Sequence, residues 1–147
     1  DLNNNTELTQ VECSGNQLTG IELSNNSQLT SLICSSNQLA ELDLSDNTEL
    51  TIVNCEYNQL TEIDLSNNKN LTELFCNGNQ LSGLDLSNNT ELTFVYCKYN
   101  QLTEIDLSTN AVLKIVDCRD NPLETIYVFE GYSFFLDKPV TTQVVVK

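Results

Sequence analysis

Apolar and polar positions along this chain repeat with a period of 21 residues. Cysteine recurs at that spacing, an asparagine follows each cysteine by three places, and a leucine opens each unit. The shared pattern is L-x-x-[LV]-x-C-x-x-N-x-L-x-x-[IL]-x-L-S-x-N-x-x, with copies beginning at Leu8, Leu29, Leu50, Leu71, Leu92 and Leu113. A fixed period of this length is typical of solenoids, in which each unit forms one coil and stacks on the next.

Each unit divides into two halves that share one skeleton. In the first coil, Val11 and Cys13 alternate with polar residues and precede Asn16, and the second half repeats this order with Ile21 and Asn26. Alternation with a period of two predicts a strand in each half. Stacked coils then form two parallel ladders with about 4.8 Å between rungs. We therefore predict a mainly β solenoid of six coils, nearly straight because neither side is widened by a helix.

The two asparagine columns are interpreted as structural. Asparagine amides at turns can bond the backbone groups of their own coil and of neighbouring coils. The apolar positions of both halves point into the coil, and a single coil buries too little apolar surface to fold alone. Stacking supplies the missing contacts.

The repeated L-x-x-L-x-C-x-x-N-x-L-x-x-L-D-L-S-x-N resembles the leucine-rich-repeat superfamily. It is most similar to the bacterial subclass of nested 21-residue repeats, called IRREKO-type, in internalin-like surface proteins. The resemblance covers Leu2 to about Leu123. It implies a secreted or surface-anchored bacterial protein that binds other macromolecules. The matching residues form the scaffold, so the resemblance leaves the ligand open.

The repeat pattern divides the chain into three parts. Residues 1–7 match the end of a unit, so we expect the chain to open in the middle of a coil, after the loss of upstream repeats or a cap. The repeats occupy residues 8–123. The pattern decays in residues 124–147, where a last strand at 126–128, several aromatic residues and a valine run predict a β-rich C-terminal cap. We interpret these aromatic residues as cap packing, with a ligand pocket as the alternative.

Outward positions of the cysteine-bearing half vary from coil to coil. Phe75 and Tyr96 should be stacked neighbours, flanked by Phe94, Ile52 and Ile115. Exposed aromatic patches of this kind often mark interaction sites, although cross-strand aromatic pairs also stabilise sheets. The predicted ligand-binding residues are Ile33, Ile52, Tyr57, Phe75, Phe94, Tyr96, Lys98 and Tyr99.

The second half presents a uniform acidic column of one Glu and four Asp, each followed two places later by a serine. Stacked carboxylates suit Ca²⁺, but aspartate also bonds nearby serine and backbone groups. The uniformity favours the second interpretation. The column comprises Glu22, Asp43, Asp64, Asp85 and Asp106.

Composition narrows the function further. The net charge of −15 disfavours nucleic acid and anionic membranes as partners, and no apolar run approaches the ~18 residues of a membrane span. The chain has no histidine, zinc motif or glycine-rich phosphate loop, so we expect no enzyme activity, cofactor or metal. The six periodic cysteines are expected to be buried free thiols, because in-register neighbours suit disulfide torsions poorly.

The sequence therefore predicts a monomeric, non-catalytic binding module for a protein or glycan ligand, secreted or at the cell surface. Two alternatives remain open. One is a structural spacer or stalk with no ligand of its own, and the other is a carbohydrate- or calcium-binding protein.

Overall fold

A computed structural model describes residue 2 and residues 4–147, and within them the chain contains ten strands and no helix. No helix that could span a bilayer therefore occurs in this part of the chain. The strands are β1 (Gln10–Glu12), β2 (Ser31–Ile33), β3 (Ile52–Asn54), β4 (Glu73–Phe75), β5 (Phe94–Tyr96), β6 (Glu104–Asp106), β7 (Ile115–Asp117), β8 (Thr125–Val128), β9 (Phe135–Asp137) and β10 (Gln143–Val146).

Seven strands form a parallel sheet, called here the first sheet, in the order β1-β2-β3-β4-β5-β7-β9. Neighbours pair at the predicted spacing of 21 residues, for example Val11 with Leu32 and Leu32 with Val53. At the last step the spacing shortens to 20, since Ile115 pairs with Phe135. The middle residue of each strand from β1 to β5 is buried and its two neighbours are more exposed. The apolar alternation thus correctly predicts which side chains face the core.

The second sheet has three strands, in the order β6-β8-β10, all near the C-terminal end. A strand in the second half of the coil was predicted throughout and is found only in these last rungs. The tripeptide Glu-Ile-Asp shows the influence of the neighbouring coil. At 104–106 it is strand β6, because β8 beside it holds β-branched and aromatic residues that favour strands. At 62–64 it is not a strand, and its neighbours at 41–43 and 83–85 are rich in Glu, Asp and Gly, which disfavour strands.

The C-terminal segment predicted as a cap continues both sheets. Strand β9 joins the first sheet, and β8 and β10 join the second. The chain consequently makes about seven turns, one more than the cysteine–asparagine pattern predicts. Aromatic residues replace leucine in this last core: the ring of Phe134 is buried, 6.4 Å from Phe129 and 5.2 Å from Tyr132 between ring centroids.

The first asparagine column joins consecutive coils. The Nδ2 of Asn79 donates to the carbonyl oxygen of Cys76 in its own coil at 3.2 Å and to that of Cys55 in the preceding coil at 3.0 Å. Its Oδ1 accepts the backbone N–H of Leu60 at 3.0 Å. Each such amide therefore satisfies buried backbone groups on both sides of a coil boundary. The same bonds recur at Asn37, Asn58, Asn100 and Asn121.

The second asparagine column is also buried and bridges coils through its donor alone. The Nδ2 of Asn68 donates to the carbonyls of Leu44 and Asn47 at 3.1 and 2.9 Å. Its Oδ1 is buried without a protein hydrogen-bond partner. The structural interpretation of both columns is thus supported by their hydrogen bonds.

A threonine column, which the sequence analysis did not identify, lies just before the strands of the first sheet. The Oγ1 of Thr51 donates to the carbonyl of Thr30 at 3.0 Å, and Thr72 does the same to Thr51. The signal was present as a threonine that recurs every 21 residues directly after the opening leucine of the first five units. It adds one side-chain bond to each coil boundary that it crosses.

Candidate binding surface

The outer side of the first sheet brings the predicted aromatic residues together. Phe75 pairs with Tyr96 across β4 and β5, and their rings stack with 5.2 Å between centroids and 8° between planes. Phe94 lies two residues before Tyr96 on the same strand, so both side chains project from the same side of the sheet. The predicted stacking of Phe75 on Tyr96 is therefore observed.

The apolar surface continues to the C-terminal edge of the sheet. Phe94 pairs with Ile115, and Ile115 pairs with Phe135, whose side chain is 64% exposed. Phe135 is one of the aromatic residues of 124–147 that were predicted to pack in the cap, because the change of spacing from 21 to 20 concealed its register. It is the neighbouring Phe134 that packs in the core. The outer residues Phe75, Phe94, Tyr96, Ile115 and Phe135 are called the aromatic face below.

Two predicted residues lie on the same side of the sheet but apart from the aromatic face. Each of them pairs with a polar residue on the next strand, Ile33 with Asn54 and Ile52 with Glu73. Both isoleucines are partly buried. They extend the outer side toward the N-terminal coils without joining the aromatic contacts.

The remaining predicted residues follow the strands and form an edge of the surface. The side chains of Tyr57 and Tyr99 are 53% and 52% exposed. The Nζ atom of Lys98 lies 5.2 Å from the ring centroid of Tyr99, and that of Lys114 lies 5.9 Å from the ring centroid of Phe94. An ammonium group at this distance is attracted by the face of the ring. Lysines thus lie beside aromatic rings at both margins of β5.

A charged cluster borders the aromatic face near the C-terminal end. The guanidinium of Arg119 donates to both carboxylate oxygens of Asp117 at 3.0 and 2.9 Å, and its Nε lies 3.0 Å from Asp137. The Arg119 hydrogen bonds hold the pKa of Asp117 below its usual range, although burial opposes them. The same pairing raises the pKa of Arg119. This cluster keeps a fixed ion pair beside the aromatic face, since Asp117 pairs with Tyr96.

The acidic column uses its carboxylates to fix the local turn. Asp64 Oδ1 accepts the backbone N–H of Ser66 at 2.9 Å, and Asp43 accepts that of Ser45 at 3.0 Å. These bonds lower the pKa of both aspartates. They correspond to the scaffold role that the sequence analysis favoured. Residues 2 and 4–147 contain no group of three or more acidic, cysteine or histidine side chains placed to hold a metal ion.

All six cysteines are free, and all but Cys13 are fully buried. Burial raises the pKa of Cys34 and Cys118 to about 12. The thiolate is the reactive form of cysteine, so these side chains remain protonated and pack as small apolar groups at physiological pH.

Several solved structures are similar to this chain. The functional domain of InlJ from Listeria monocytogenes, which includes a cysteine ladder, is 27% identical over 96% of this chain, with a TM-score of 0.51. Internalin C2 from the same organism is 25% identical over 80% of this chain, with a TM-score of 0.75. A leucine-rich-repeat protein of Leptospira interrogans shares the fold at 16% identity over 95% of this chain, with a TM-score of 0.79.

The chain spans about half the length of these structures: 46% of the InlJ domain, 54% of internalin C2 and 43% of the Leptospira protein. No family model matches the sequence. No curated protein matches it either.

Proposed function

This chain is a leucine-rich-repeat protein that resembles the internalins of Listeria monocytogenes, and on that premise we propose that it is a non-catalytic module that binds a protein ligand through the aromatic face. A location at the cell surface or outside the cell belongs to the same proposal. The support comes from the resemblance, from the partly exposed rings of Phe75, Phe94 and Tyr96 on the outer side of the first sheet and from the lack of histidine in the sequence.

The observation that carries the proposal is the stack of Phe75 on Tyr96 on the outer side of the first sheet. The core is already filled by the inward residues of the same strands, Leu74 and Val95, which are fully buried. An aromatic pair contributes only about 0.5–1.5 kcal/mol beyond its area burial. Aromatic side chains are in contrast the residues that dominate protein-binding hot spots.

The sheet restricts how a ligand can bind. Strands β4 and β5 are paired on both sides, so their backbone groups cannot accept an added strand. A ligand at the aromatic face must therefore be held by side chains. The stacked rings offer apolar contact, and Lys98 and Lys114 offer hydrogen-bond donors at the two margins of β5.

A pull-down with mass spectrometry tests the proposal. The wild type is compared with a Phe75→Ala, Phe94→Ala, Tyr96→Ala variant, and with a Gln10→Ala, Ser31→Ala variant as a control on the same side of the sheet. Circular dichroism verifies that each variant is folded. We expect the triple variant to lose a partner that the wild type and the control both capture.

Other outcomes would count against the proposal. If the triple variant captures the same partner as the wild type, the ligand binds elsewhere. If the wild type captures no protein, the result favours a spacer or a ligand of another class, such as a glycan. Sheet stabilisation alone would lower the unfolding temperature of the triple variant without changing capture.

A further inference from the structure

One position in each of the six cysteine-bearing coils adopts the left-handed backbone conformation. It lies two residues after each cysteine, where φ is between 53° and 67°. An L side chain in this conformation costs roughly 1–2 kcal/mol, and Gly, Asn and Asp tolerate it best. These residues, called here the left-handed column, are Gly15, Ser36, Tyr57, Gly78, Tyr99 and Asp120.

Tyrosine is a poor choice for this column. Tyr57 and Tyr99 have φ of 53° and 56° and leave about half of their side-chain surface in solvent. Burial of such a side chain contributes little to the stability of the fold, and its backbone strain lowers that stability. Strained residues of this kind are often kept where a site requires them.

The backbone angle at position 78 does not by itself explain why this residue is glycine. Ser36, Tyr57 and Asp120 adopt the same conformation with a side chain, so the conformation alone does not demand glycine. A Cβ atom at Gly78, however, would lie 2.5 Å from Cδ1 and 2.9 Å from Cε1 of Tyr57. At Gly15, with φ of 67°, a Cβ atom would meet nothing within 4 Å. The ring of Tyr57 therefore occupies the space that a side chain at 78 would fill.

This arrangement carries the ring of Tyr57 from its own coil onto the next one. Gly78 lies three residues after Phe75, which is at most about 11 Å along the chain. Phe75 in turn stacks on Tyr96 of the following coil. The ring of Tyr57 thus reaches the coil whose Phe75 stacks on Tyr96.

We propose that Gly78 is a positioning residue of the binding surface. Because Gly78 has no side chain, the ring of Tyr57 can lie against it and is held beside the aromatic face. There the ring contacts an apolar side chain of the protein ligand. The contact with a ligand rests on the proposed function, whereas the position of the ring rests on geometry alone. Tyr99 differs, because its successor in the column is Asp120 and the Nζ atom of Lys98 lies over its ring.

Gly78→Ala and Gly15→Ala form a matched pair, since both place a Cβ atom at φ near 66° and only the first displaces Tyr57. Each protein is labelled with 3-fluorotyrosine, and the ¹⁹F signal of Tyr57 is assigned with Tyr57→Phe. We expect Gly78→Ala to shift the Tyr57 signal and increase its broadening by a soluble gadolinium chelate, while Gly15→Ala leaves both unchanged. If the ¹⁹F signal of Tyr57 is the same in Gly78→Ala as in the wild type, the inference is wrong, whichever ligand binds.

Ligand capture supplies the second readout. For the partner captured by the wild type, we expect Gly78→Ala to weaken affinity about tenfold and Gly15→Ala to leave it unchanged. Tyr57→Asn should weaken capture equally while keeping or raising the unfolding temperature, because Asn tolerates the left-handed conformation. A fall in stability with capture intact would make Tyr57 a structural residue and refute the inference. Absence of any captured partner would count against the proposed function alone.

Discussion

Buried asparagine side chains join consecutive coils in addition to the paired strands. In the first asparagine column each amide bonds backbone groups of two coils, and at Asn79 these are the N–H of Leu60 and the carbonyls of Cys55 and Cys76. No other side chain offers a donor and an acceptor at this distance from the backbone with so little bulk. The strict repetition of asparagine in the sequence follows from this requirement.

Replacing Asn79 with alanine should destabilise the fold by about 2–4 kcal/mol, because the buried N–H of Leu60 loses its partner and a cavity is left. Asn16, at the N-terminal end, is exposed and bonds only within its own coil. Asn16→Ala should therefore cost less than about 1 kcal/mol. Urea unfolding followed by circular dichroism measures both values, and equal losses would contradict the assigned role.

Asp117 should give the protein a specific sensitivity to acid. Its folded pKa is lowered by Arg119, so its contribution to stability is present above the unfolded value of about 3.9 and is lost as the pH falls through the folded pKa. Asp117→Asn should be less stable than the wild type at neutral pH and should show a flatter decline between about pH 5 and pH 2. Thermal unfolding across this range, with the exposed Asp46→Asn as control, measures the difference.

The two sides of a coil differ in how their backbones are joined. On the first sheet every rung is paired, whereas in the segments 20–22, 41–43, 62–64 and 83–85 the described backbone has no bond from coil to coil. The single bond that recurs nearby runs from a glutamine N–H, such as that of Gln59, to the leucine carbonyl of the preceding coil. Side-chain packing and the asparagine columns hold this second side together in the early coils.

Hydrogen exchange should reveal this difference. Amide protons of the inner strands β2 to β5 are expected to exchange at least about a hundredfold more slowly than those of 41–43, 62–64 and 83–85. The N–H of Gln59 and Gln80, which are bonded to the preceding coil, should be protected within that otherwise open side. Exchange followed by NMR measures each amide, and uniform protection on both sides would show that the second sheet extends through all coils.

The period of 21 and the alternation were enough to predict the solenoid, the register of the first sheet and the contact of Phe75 with Tyr96. Alternation reports which side chains point inward, and it does not report whether neighbouring backbones pair. The Glu-Ile-Asp segments at 62–64 and 104–106 are identical in sequence and differ in structure because their neighbours differ. Phe135 was missed because its register depends on a turn that no longer matches the repeat, and Gly78 because its space is occupied from another coil.

Charge is distributed unevenly along the whole molecule. Residues 1–68 contain eleven acidic and no basic side chains, whereas residues 69–147 contain ten acidic and six basic ones. The two parts therefore carry net charges of −11 and −4. A positively charged protein would be steered toward the N-terminal coils at long range, while the lysines beside aromatic rings lie only in the C-terminal part.

Salt should stabilise the protein without any preference among cations. Screening of the stacked carboxylates is expected to raise the unfolding temperature by about 5 °C between low and high salt. Because the aspartates of the acidic column bond their own turns, millimolar CaCl₂ should act no differently from MgCl₂ at equal ionic strength. Differential scanning calorimetry compares the two, and a gain specific to Ca²⁺ that Asp64→Asn and Asp85→Asn abolish would establish the calcium-binding alternative.

The hydrogen bonds between coils also limit how such a protein can change over evolutionary time. Most side-chain bonds in the asparagine and threonine columns span 19, 21 or 24 residues, so only the gain or loss of a whole 21-residue unit leaves them in register. Unequal recombination between repeats produces such changes. Loss of the third coil would bring Ile33 next to Phe75 and remove Tyr57, so that Gly78 would have no ring to accommodate. The specificity proposed for the aromatic face would therefore change in discrete steps as well as by point mutation, each step shifting part of the surface by one rung of about 4.8 Å.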